Sequence, residues 1–179
     1  MSSGFFCGTY TAKLDEKNRF VLPQELRYGL VEDGKLEFTI ALSMGGCLAI
    51  YKKKDIDEIV EKFRAKRHIA KFQKFFTLFF STLMPATCDK VGRVTIPSVL
   101  KQGVGIKSEI VLAGALDKIE LWPKEKYEDD LQKFLTGSSE EPLSKMMEEA
   151  FALLSEEEVI EQKDLEGVID RLQTQTVKL

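Results

Sequence analysis

Histidine and cysteine are scarce in this chain, and their scarcity argues against several classes of site. The 179 residues include one histidine, His68, and three cysteines, Cys7, Cys47 and Cys88. The cysteines are widely spaced without a CxxC pair, which argues against a disulfide framework or a zinc knuckle. Walker, GxSxG and HExxH motifs are also missing from the sequence. We therefore expect no enzymatic activity, cofactor, metal site or small-molecule substrate. An enzymatic alternative would pair Cys88 with His68, and nothing in the sequence places them together.

A secretion leader and a membrane span are the next absences. No arginine-flanked apolar segment with a small-residue cleavage site opens the chain, which predicts a cytoplasmic protein. The most apolar stretch, 69–80, has about a dozen residues, whereas crossing a bilayer takes about 20. Lys71 and Lys74 interrupt this stretch, so we expect a helix whose phenylalanines fill a core or a subunit interface. A helix lying on a membrane surface is the alternative.

Excess positive charge, which would favour nucleic-acid binding, is absent from the chain as a whole. The formal net charge is −3, but it is unevenly distributed. Residues 1–135 carry 22 lysines and arginines against 18 aspartates and glutamates, a balance of +4. Residues 136–179 carry 4 against 11, a balance of −7. The acidity therefore belongs to the C-terminal tail, and the rest of the chain is mildly basic.

An internal repeat is the most informative feature that the sequence does contain. The segment DEKNRFVLP, Asp15 to Pro23, recurs as DKVGRVTIP, Asp89 to Pro97, with aspartate, arginine and proline at the same spacing. After three residues are lost from the second copy, the match resumes and pairs Leu48 with Ile119, Tyr51 with Trp122 and Phe63 with Phe134. Two small units of one architecture therefore share the chain. Since each is too short to bury much core alone, we expect them to pack together or to exchange strands.

Both copies show the same order of predicted elements, which gives an α+β fold. Each has a strand, the charged turn, a second strand, a short helix begun by proline, a hairpin and a longer helix. Pro85 should confine its strand to a sheet edge. The predicted division is a first repeat at 1–68, an apolar connecting helix at 69–82, a second repeat at 83–136 and an acidic amphipathic tail at 137–179.

The repeated turn is where we look for chemistry. Its fourth position is Asn18 in one copy and Gly92 in the other, two residue types that tolerate a positive φ. The arginine that follows is aimed by the backbone, and the aspartate can hydrogen-bond to the turn or to that arginine. An oriented guanidinium suits a phosphate or the major-groove edge of guanine. The alternative is that each aspartate–arginine pair is an internal salt bridge that only fixes the turn.

The paired motifs resemble the MraZ family over residues 5–134. The residues that carry the resemblance are Phe6-x-Gly8-x-Tyr10-x-x-x-Leu14-Asp15-x-Lys17-x-Arg19-x-x-x-Pro23, Asp89-x-x-Gly92-Arg93-x-x-x-Pro97, Cys47-Leu48-x-x-Tyr51 and Ile119-Glu120-x-Trp122. Two DxxxR motifs at this separation are a specific signal, whereas one would be nearly worthless. Family members usually have glycine where this chain has Asn18, and asparagine can adopt the same left-handed conformation.

The resemblance implies a fold and a function. The fold would be a mainly β arrangement with short helices, in which two tandem AbrB-like swapped-hairpin repeats form a pseudo-twofold barrel, followed by a helical C-terminal tail. The protein would be a nucleoid-associated transcriptional regulator that binds double-stranded DNA as a homo-oligomeric ring, on repeated boxes upstream of the division and cell-wall gene cluster and its own gene. The implied DNA-binding residues are Asp15, Arg19, Asp89 and Arg93, with Lys13, Lys17 and Lys90 as neighbouring phosphate contacts.

Two further hypotheses concern the tail and the partners. The swapped-hairpin body could instead be a protein–protein interaction module, or an antitoxin-like scaffold whose helical tail binds a partner. The tail after Gly137 has no family counterpart that sequence inspection could place, and its −7 balance suggests an intramolecular brake on DNA binding. Ser155-Glu156-Glu157-Glu158 resembles the capped start of a last helix.

Overall fold

The computed structural model of this chain describes residues 4–140 and 142–154, and the proposed helix start at Ser155 lies outside the described residues. The chain divides into two compact units, Met1–Glu128 and Asp129–Leu179. Strands and helices together give an α+β fold with tandem repeats and C-terminal helices, as the sequence predicts.

The first repeat contributes six strands and three helices. In chain order they are β1 (Thr9–Lys13), β2 (Arg19–Val21), α1 (Gln24–Leu30), β3 (Val31–Glu32), β4 (Lys35–Leu36), β5 (Phe38–Ser43), β6 (Cys47–Lys52), α2 (Lys53–Ala65), a 3-10 turn (Ala70–Phe72) and α3 (Gln73–Ser81). The second repeat contributes β7 (Met84–Ala86), β8 (Arg93–Thr95), α4 (Ser98–Gly103), β9 (Glu109–Ala115), β10 (Lys118–Pro123) and α5 (Lys124–Thr136). Residues 143–154 are helical.

The two repeats exchange strands within one antiparallel sheet. The strand order is β1-β9-β10-β6-β5-β7, so each edge strand pairs with the hairpin of the other repeat. At the centre, β6 lies against β10 with Ala49 opposite Glu120. These two residues occupy equivalent positions in the repeat, 71 residues apart, so the strand pairing follows a pseudo-twofold axis. Exchange of this kind lets each short repeat complete the core of the other.

The expected pseudo-twofold barrel needs correction. Among the described strands, β1 pairs only with β9 and β7 only with β5, so the six-stranded sheet is open at both edges. The edge strand β7 is three residues long and has Pro85 at its centre, opposite Thr39. A proline cannot donate to a ladder, so β7 can end a sheet but cannot continue it. The prediction that Pro85 lies on an edge strand is confirmed.

Apolar residues of both repeats build one core. Fully or nearly fully buried side chains include Phe20, Leu22, Leu30, Ile40, Leu48, Ile50, Val94, Ile96, Leu100, Ile110, Leu112 and Ile119. Burying a side chain of this size stabilises the fold by roughly 1.5–3 kcal/mol. Pro23 and Pro97 stand at the N-caps of α1 and α4, which therefore begin one residue after each proline. The short strands and helices of the turn region are thus anchored to a common core.

A hairpin in the first repeat was not predicted. Strands β3 and β4 pair across Asp33 and Gly34, whose φ angles of 50° and 75° are those of a tight hairpin turn. An Asp-Gly pair is a strong hairpin signal, and the element order predicted for the first repeat has no hairpin directly after the short helix. In the structure β4 ends at Leu36 and β5 begins at Phe38, so the small hairpin leads directly into the main sheet.

The phenylalanine-rich segment forms the end of a helical hairpin. The ring of Phe63 in α2 contacts Phe75, Phe76, Phe79 and Phe80 in α3, with centroid distances of 5.6–6.1 Å. No residue of α3 is fully buried, and Phe75 and Leu78 remain 44% and 54% exposed. Helix α3 therefore packs on α2 through one side and leaves an apolar side open. Within the described residues no helix is long and apolar enough to cross a membrane.

The helices of the second repeat follow the same plan. Both bounds of α5 lie 71 positions after those of α2. Adding the same 71 positions to the bounds of α3 gives residues 144–152, which are helical in the structure. The first part of the tail is therefore the repeat's second copy of α3.

Candidate nucleic-acid interface

Strands β2 and β8 form a separate two-stranded ribbon that brings the two turns together. Phe20 lies opposite Val94, and both are buried. Arg19 lies opposite Thr95, and Val21 lies opposite Arg93. Because side chains alternate along a strand, these four residues share the face of the ribbon that points away from the core. The two arginines are diagonal neighbours on that face, a relation that places residues roughly 7–8 Å apart.

The first turn holds Arg19 through both oxygens of Asp15. Oδ1 accepts hydrogen bonds from the backbone N–H groups of Lys17 and Arg19, each at 2.9 Å. Oδ2 accepts a hydrogen bond from Nε of the Arg19 guanidinium at 2.8 Å, and Nη2 forms an ion pair with the same oxygen at 2.7 Å. The hydrogen bond from the Arg19 side chain is the main cause that lowers the pKa of Asp15 to about 2. Asp15 therefore remains a carboxylate at neutral pH and keeps its arginine in place.

The second turn repeats this arrangement with fewer donors. Oδ1 of Asp89 accepts from the backbone N–H groups of Val91 and Arg93 at 3.0 and 2.9 Å. Oδ2 accepts from Nε of Arg93 at 2.6 Å. The backbone hydrogen bond from Arg93 is the first cause of a lowered pKa at Asp89, and the side-chain hydrogen bond is a smaller one. The largest cause of the lowered aspartate pKa is therefore a backbone hydrogen bond at the second turn and the guanidinium hydrogen bond at the first.

The residues before the arginines adopt the predicted left-handed conformation. Asn18 has φ 57° and Gly92 has φ 82°. In both turns the conformation closes a hydrogen bond from this fourth residue back to the aspartate carbonyl, at 3.0 and 2.9 Å. The prediction drawn from residue type alone is confirmed at both positions.

The ion pairs occupy only some of the N–H donors of the two arginines. A guanidinium has five N–H donors, and Arg19 commits Nε and Nη2 while Arg93 commits Nε. The side chains of Arg19 and Arg93 remain 26% and 38% exposed. An exposed ion pair contributes about 0–1 kcal/mol to stability. The geometry therefore fits both interpretations of the motif: the carboxylate fixes the turn, and the arginine keeps donors for a ligand.

Comparison with known proteins identifies the family. The family model described as "MraZ protein, putative antitoxin-like" matches residues 5–78 and again residues 79–150. The chain belongs to the MraZ family. It is 37% identical over 69% of its length to the "Transcriptional regulator MraZ" of Lactobacillus helveticus, covering 84% of that protein. It is 35% identical to the Clostridium beijerinckii protein of the same name, over 69% of this chain and 85% of the relative. The Lachnoclostridium phytofermentans protein of the same name is 30% identical over 70% of this chain and 86% of the relative.

Membership answers two questions that the sequence raised. The MraZ family is one of transcriptional regulators and not of enzymes. The second match extends to residue 150, so the start of the tail lies inside the MraZ model. Sequence inspection had left this segment without a family counterpart. The structure supplies the physical reason, because 143–154 is the second copy of α3.

The three predicted lysines are exposed but do not occupy equivalent positions. Lys17 lies two residues after Asp15, whereas Lys90 lies one residue after Asp89. Lys13 ends β1 opposite Glu109. The structure thus places Lys17 and Lys90 in the same turns as the arginines, and Lys13 on the strand that leads into the first turn.

Each turn is supported by the opposite repeat, which sequence inspection missed. The Leu22 N–H donates to the Gly92 carbonyl and the Ile96 N–H donates to the Asn18 carbonyl, both at 2.9 Å. Lys101 of α4 donates to Oδ1 of Asn18 at 2.9 Å. At the second turn the Arg27 guanidinium lies where a Cβ on Gly92 would stand. The sequence does contain a hint of this support. Arg27 and Lys101 are basic residues at equivalent positions of the two repeats, because they lie 74 residues apart, as the two turns do.

The cysteine and histidine hypotheses receive no support from the chemistry of the site. Burial raises the pKa of the Cys88 thiol, and burial raises that of Cys47 to about 11. A raised pKa disfavours the thiolate that a nucleophile or a metal ligand requires. Within 4–140 and 142–154, no cluster of three or more histidine, cysteine or acidic side chains could hold a metal ion.

Proposed function

We propose that this MraZ-family regulator binds duplex DNA through the outward face of the β2–β8 ribbon, with Arg19 and Arg93 reading bases. The observation that carries the proposal is that two carboxylate-oriented guanidinium groups share one exposed face. The B-DNA major groove is about 12 Å wide and admits a two-stranded ribbon. Arginine donors match O6 and N7 of guanine, which makes guanine the expected contact.

The remaining predicted residues have supporting roles. Asp15 and Asp89 orient the arginines and would not themselves approach the anionic backbone. Lys13, Lys17 and Lys90 are exposed around the two turns, where their ammonium groups suit phosphate contacts. Such contacts supply affinity and register, while the arginines supply sequence preference.

Assembly is the second part of the proposal. A protomer with two arginines and three lysines neutralises few phosphates, so its own affinity should be low. A homo-oligomeric ring on repeated boxes would gain by effective concentration, by roughly 10²- to 10⁴-fold. The exposed apolar side of α3, with Phe75 and Leu78, and the exposed Phe72 of the preceding 3-10 turn support a role in subunit contacts. The boxes are expected upstream of the division and cell-wall gene cluster and of the protein's own gene.

The same proposal divides the chain into repeat bodies at 1–68 and 83–136, joined by 69–82 and followed by the tail at 137–179. Helix α3 in 69–82 and its copy at the start of the tail each follow one of these bodies. The tail is proposed as a brake, since its excess of acidic residues would compete with DNA for the basic face. Removal of residues 155–179 leaves the MraZ-matched segment in place. It should tighten DNA binding, and unchanged or weaker binding would refute the brake.

The proposal is tested by fluorescence anisotropy with duplexes from upstream of the gene, at two salt concentrations. Arg19→Ala and Arg93→Ala should each weaken binding by about 1–3 kcal/mol while circular dichroism and native mass stay unchanged. Arg64→Ala is the matched control, because Arg64 also pairs with a nearby acid, Glu61, but lies on α2. Unaltered affinity in both turn variants at equal salt would refute the assignment.

A second candidate function follows from the words "putative antitoxin-like" in the family description. In that case the body would be a scaffold and the helices after α5 would bind a protein partner. The same titration separates the two functions, because a scaffold shows no dependence on the two arginines and no preference between box and scrambled DNA.

A further inference from the structure

The outward face of the ribbon differs at one pair of equivalent positions. Val21 and Thr95 lie 74 residues apart, as the two arginines do, and each is exposed at the end of its strand. Val21 lies directly opposite Arg93, and Thr95 lies directly opposite Arg19. Each guanidinium therefore has a different neighbour: two methyl groups beside Arg93 and a hydroxyl with one methyl beside Arg19.

Valine suits a strand, but its exposure on the outward face of the ribbon leaves its two methyl groups open to a ligand. Val21 is 53% exposed, while its strand neighbours Phe20 and Leu22 are 1% and 0% exposed. The Thr95 side chain is likewise exposed at the end of β8. A surface that binds only phosphates would gain nothing from an aliphatic side chain between two arginines. A surface that meets base edges would, because the 5-methyl group of thymine is apolar and lies in the major groove.

We propose that Val21 and Thr95 are specificity-determining residues, and that Val21 selects thymine at the base pair next to the Arg93 contact by packing on its 5-methyl group. Thr95 carries a donor and acceptor, so it accepts more than one base next to the Arg19 contact. The ribbon then reads a box whose two halves are related but unequal. This inference rests on the proposed function and adds the residues that make the two halves differ.

The isosteric exchange of these residues provides the test. Wild type, Val21→Thr, Thr95→Val and the double exchange, all as full-length chains, are used to select binding sequences from a random duplex pool. Selections with Arg19→Ala and Arg93→Ala mark which guanines belong to which arginine. Val21→Thr should lose the thymine preference beside the Arg93 guanine. Thr95→Val should gain one beside the Arg19 guanine, and the double exchange should move the preference from one half to the other.

Replacing the selected thymine by uracil removes only the methyl group. Wild-type affinity should fall about fourfold, the factor expected for one buried methyl-sized group. Val21→Thr keeps one of the two methyl groups and should be less sensitive to the replacement than wild type. Its salt dependence should equal that of wild type because no charge changes. Identical consensus sequences and equal uracil sensitivity in wild type and exchange variants overturn the inference alone. If the arginine variants also select the wild-type sequence, the proposed function falls with it.

Discussion

The two turns of this chain reach one arginine geometry by different contacts. The first has an asparagine at its left-handed position. The side chain of Asn18 hydrogen-bonds to the opposite repeat, donating to Ser98 and accepting from Lys101. The second uses glycine and fills the vacant space with the Arg27 guanidinium. Both turns keep the aspartate, which accepts hydrogen bonds from two backbone N–H groups and from the arginine of its turn. The orientation of the arginine is therefore the shared feature, and the support beneath it has diverged.

The comparison also shows why the repeats depend on each other. Each turn is held by the helix and strand of the other copy. A change at one turn should therefore affect both halves of the ribbon, and its size should depend on which kind of support is lost.

Loss of the asparagine support should have the largest effect on stability. Asn18→Ala removes the hydrogen bonds to Ser98 and Lys101 and leaves an alanine at φ 57°. We expect the free energy of unfolding to fall by about 2–3 kcal/mol in a urea titration. Asn18→Gly is the matched control, since glycine accepts the φ angle and only the hydrogen bonds are lost. Its cost should be about half as large; equal costs would mean that backbone strain contributes nothing.

Gly92→Ala tests the support of the second turn. The added Cβ meets a φ of 82° and would overlap the guanidinium of Arg27. The backbone penalty is about 1–2 kcal/mol, and the flexible guanidinium can move away at small further cost. Gly105→Ala is the control, because Gly105 has φ 74° and nothing within 4 Å of its Cβ position. Thermal unfolding should show Gly92→Ala as the more destabilised of the two, and the reverse order would argue against the Arg27 contact.

The carboxylates should respond unequally to loss of their arginines. Since the side-chain hydrogen bond is the first cause at Asp15 and the backbone hydrogen bond the first at Asp89, Arg19→Ala should raise the pKa of Asp15 more than Arg93→Ala raises that of Asp89. Carboxyl-carbon NMR titrations measure both values. Equal shifts would show that the guanidinium groups act alike in the two turns.

The same shifts predict how stability depends on pH. A carboxyl whose pKa is lower in the folded state stabilises the fold above its unfolded pKa, and this contribution disappears as the pH falls through the folded value. For Asp15 the window runs from about pH 4, the ordinary range of an aspartate, down to about pH 2. Arg19→Ala should therefore lessen the loss of stability over this window.

The sequence was most informative where structure depends on nearby residues. The repeat itself, the positive φ at Asn18 and Gly92, the helix starts after Pro23 and Pro97 and the edge position of Pro85 all follow from local chemistry. Proline restricts φ wherever it occurs, and glycine and asparagine tolerate the positive φ that other residues avoid, so a single sequence is enough to predict these positions.

The individual contacts between the repeats could not be predicted from the sequence. Strand exchange was expected as one of two arrangements, but the pairing of β1 with β9 and the contact of Arg27 with Gly92 join residues far apart in the chain, and no local pattern gives their partners. The barrel was wrong because closure depends on how the two edge strands end, and β7 is too short to continue the sheet. The β3–β4 hairpin was a different kind of error, since Asp33-Gly34 was a readable signal.

The most direct test of the account replaces single guanines of the selected box by 7-deazaguanine, which lacks the N7 acceptor that an arginine would use. Wild type should lose affinity at two positions. Arg19→Ala should be insensitive at one of them and Arg93→Ala at the other, because each variant has already lost its own contact. Identical position-by-position losses in wild type and both variants would show that neither guanidinium reads a base, and the account would be wrong at its centre.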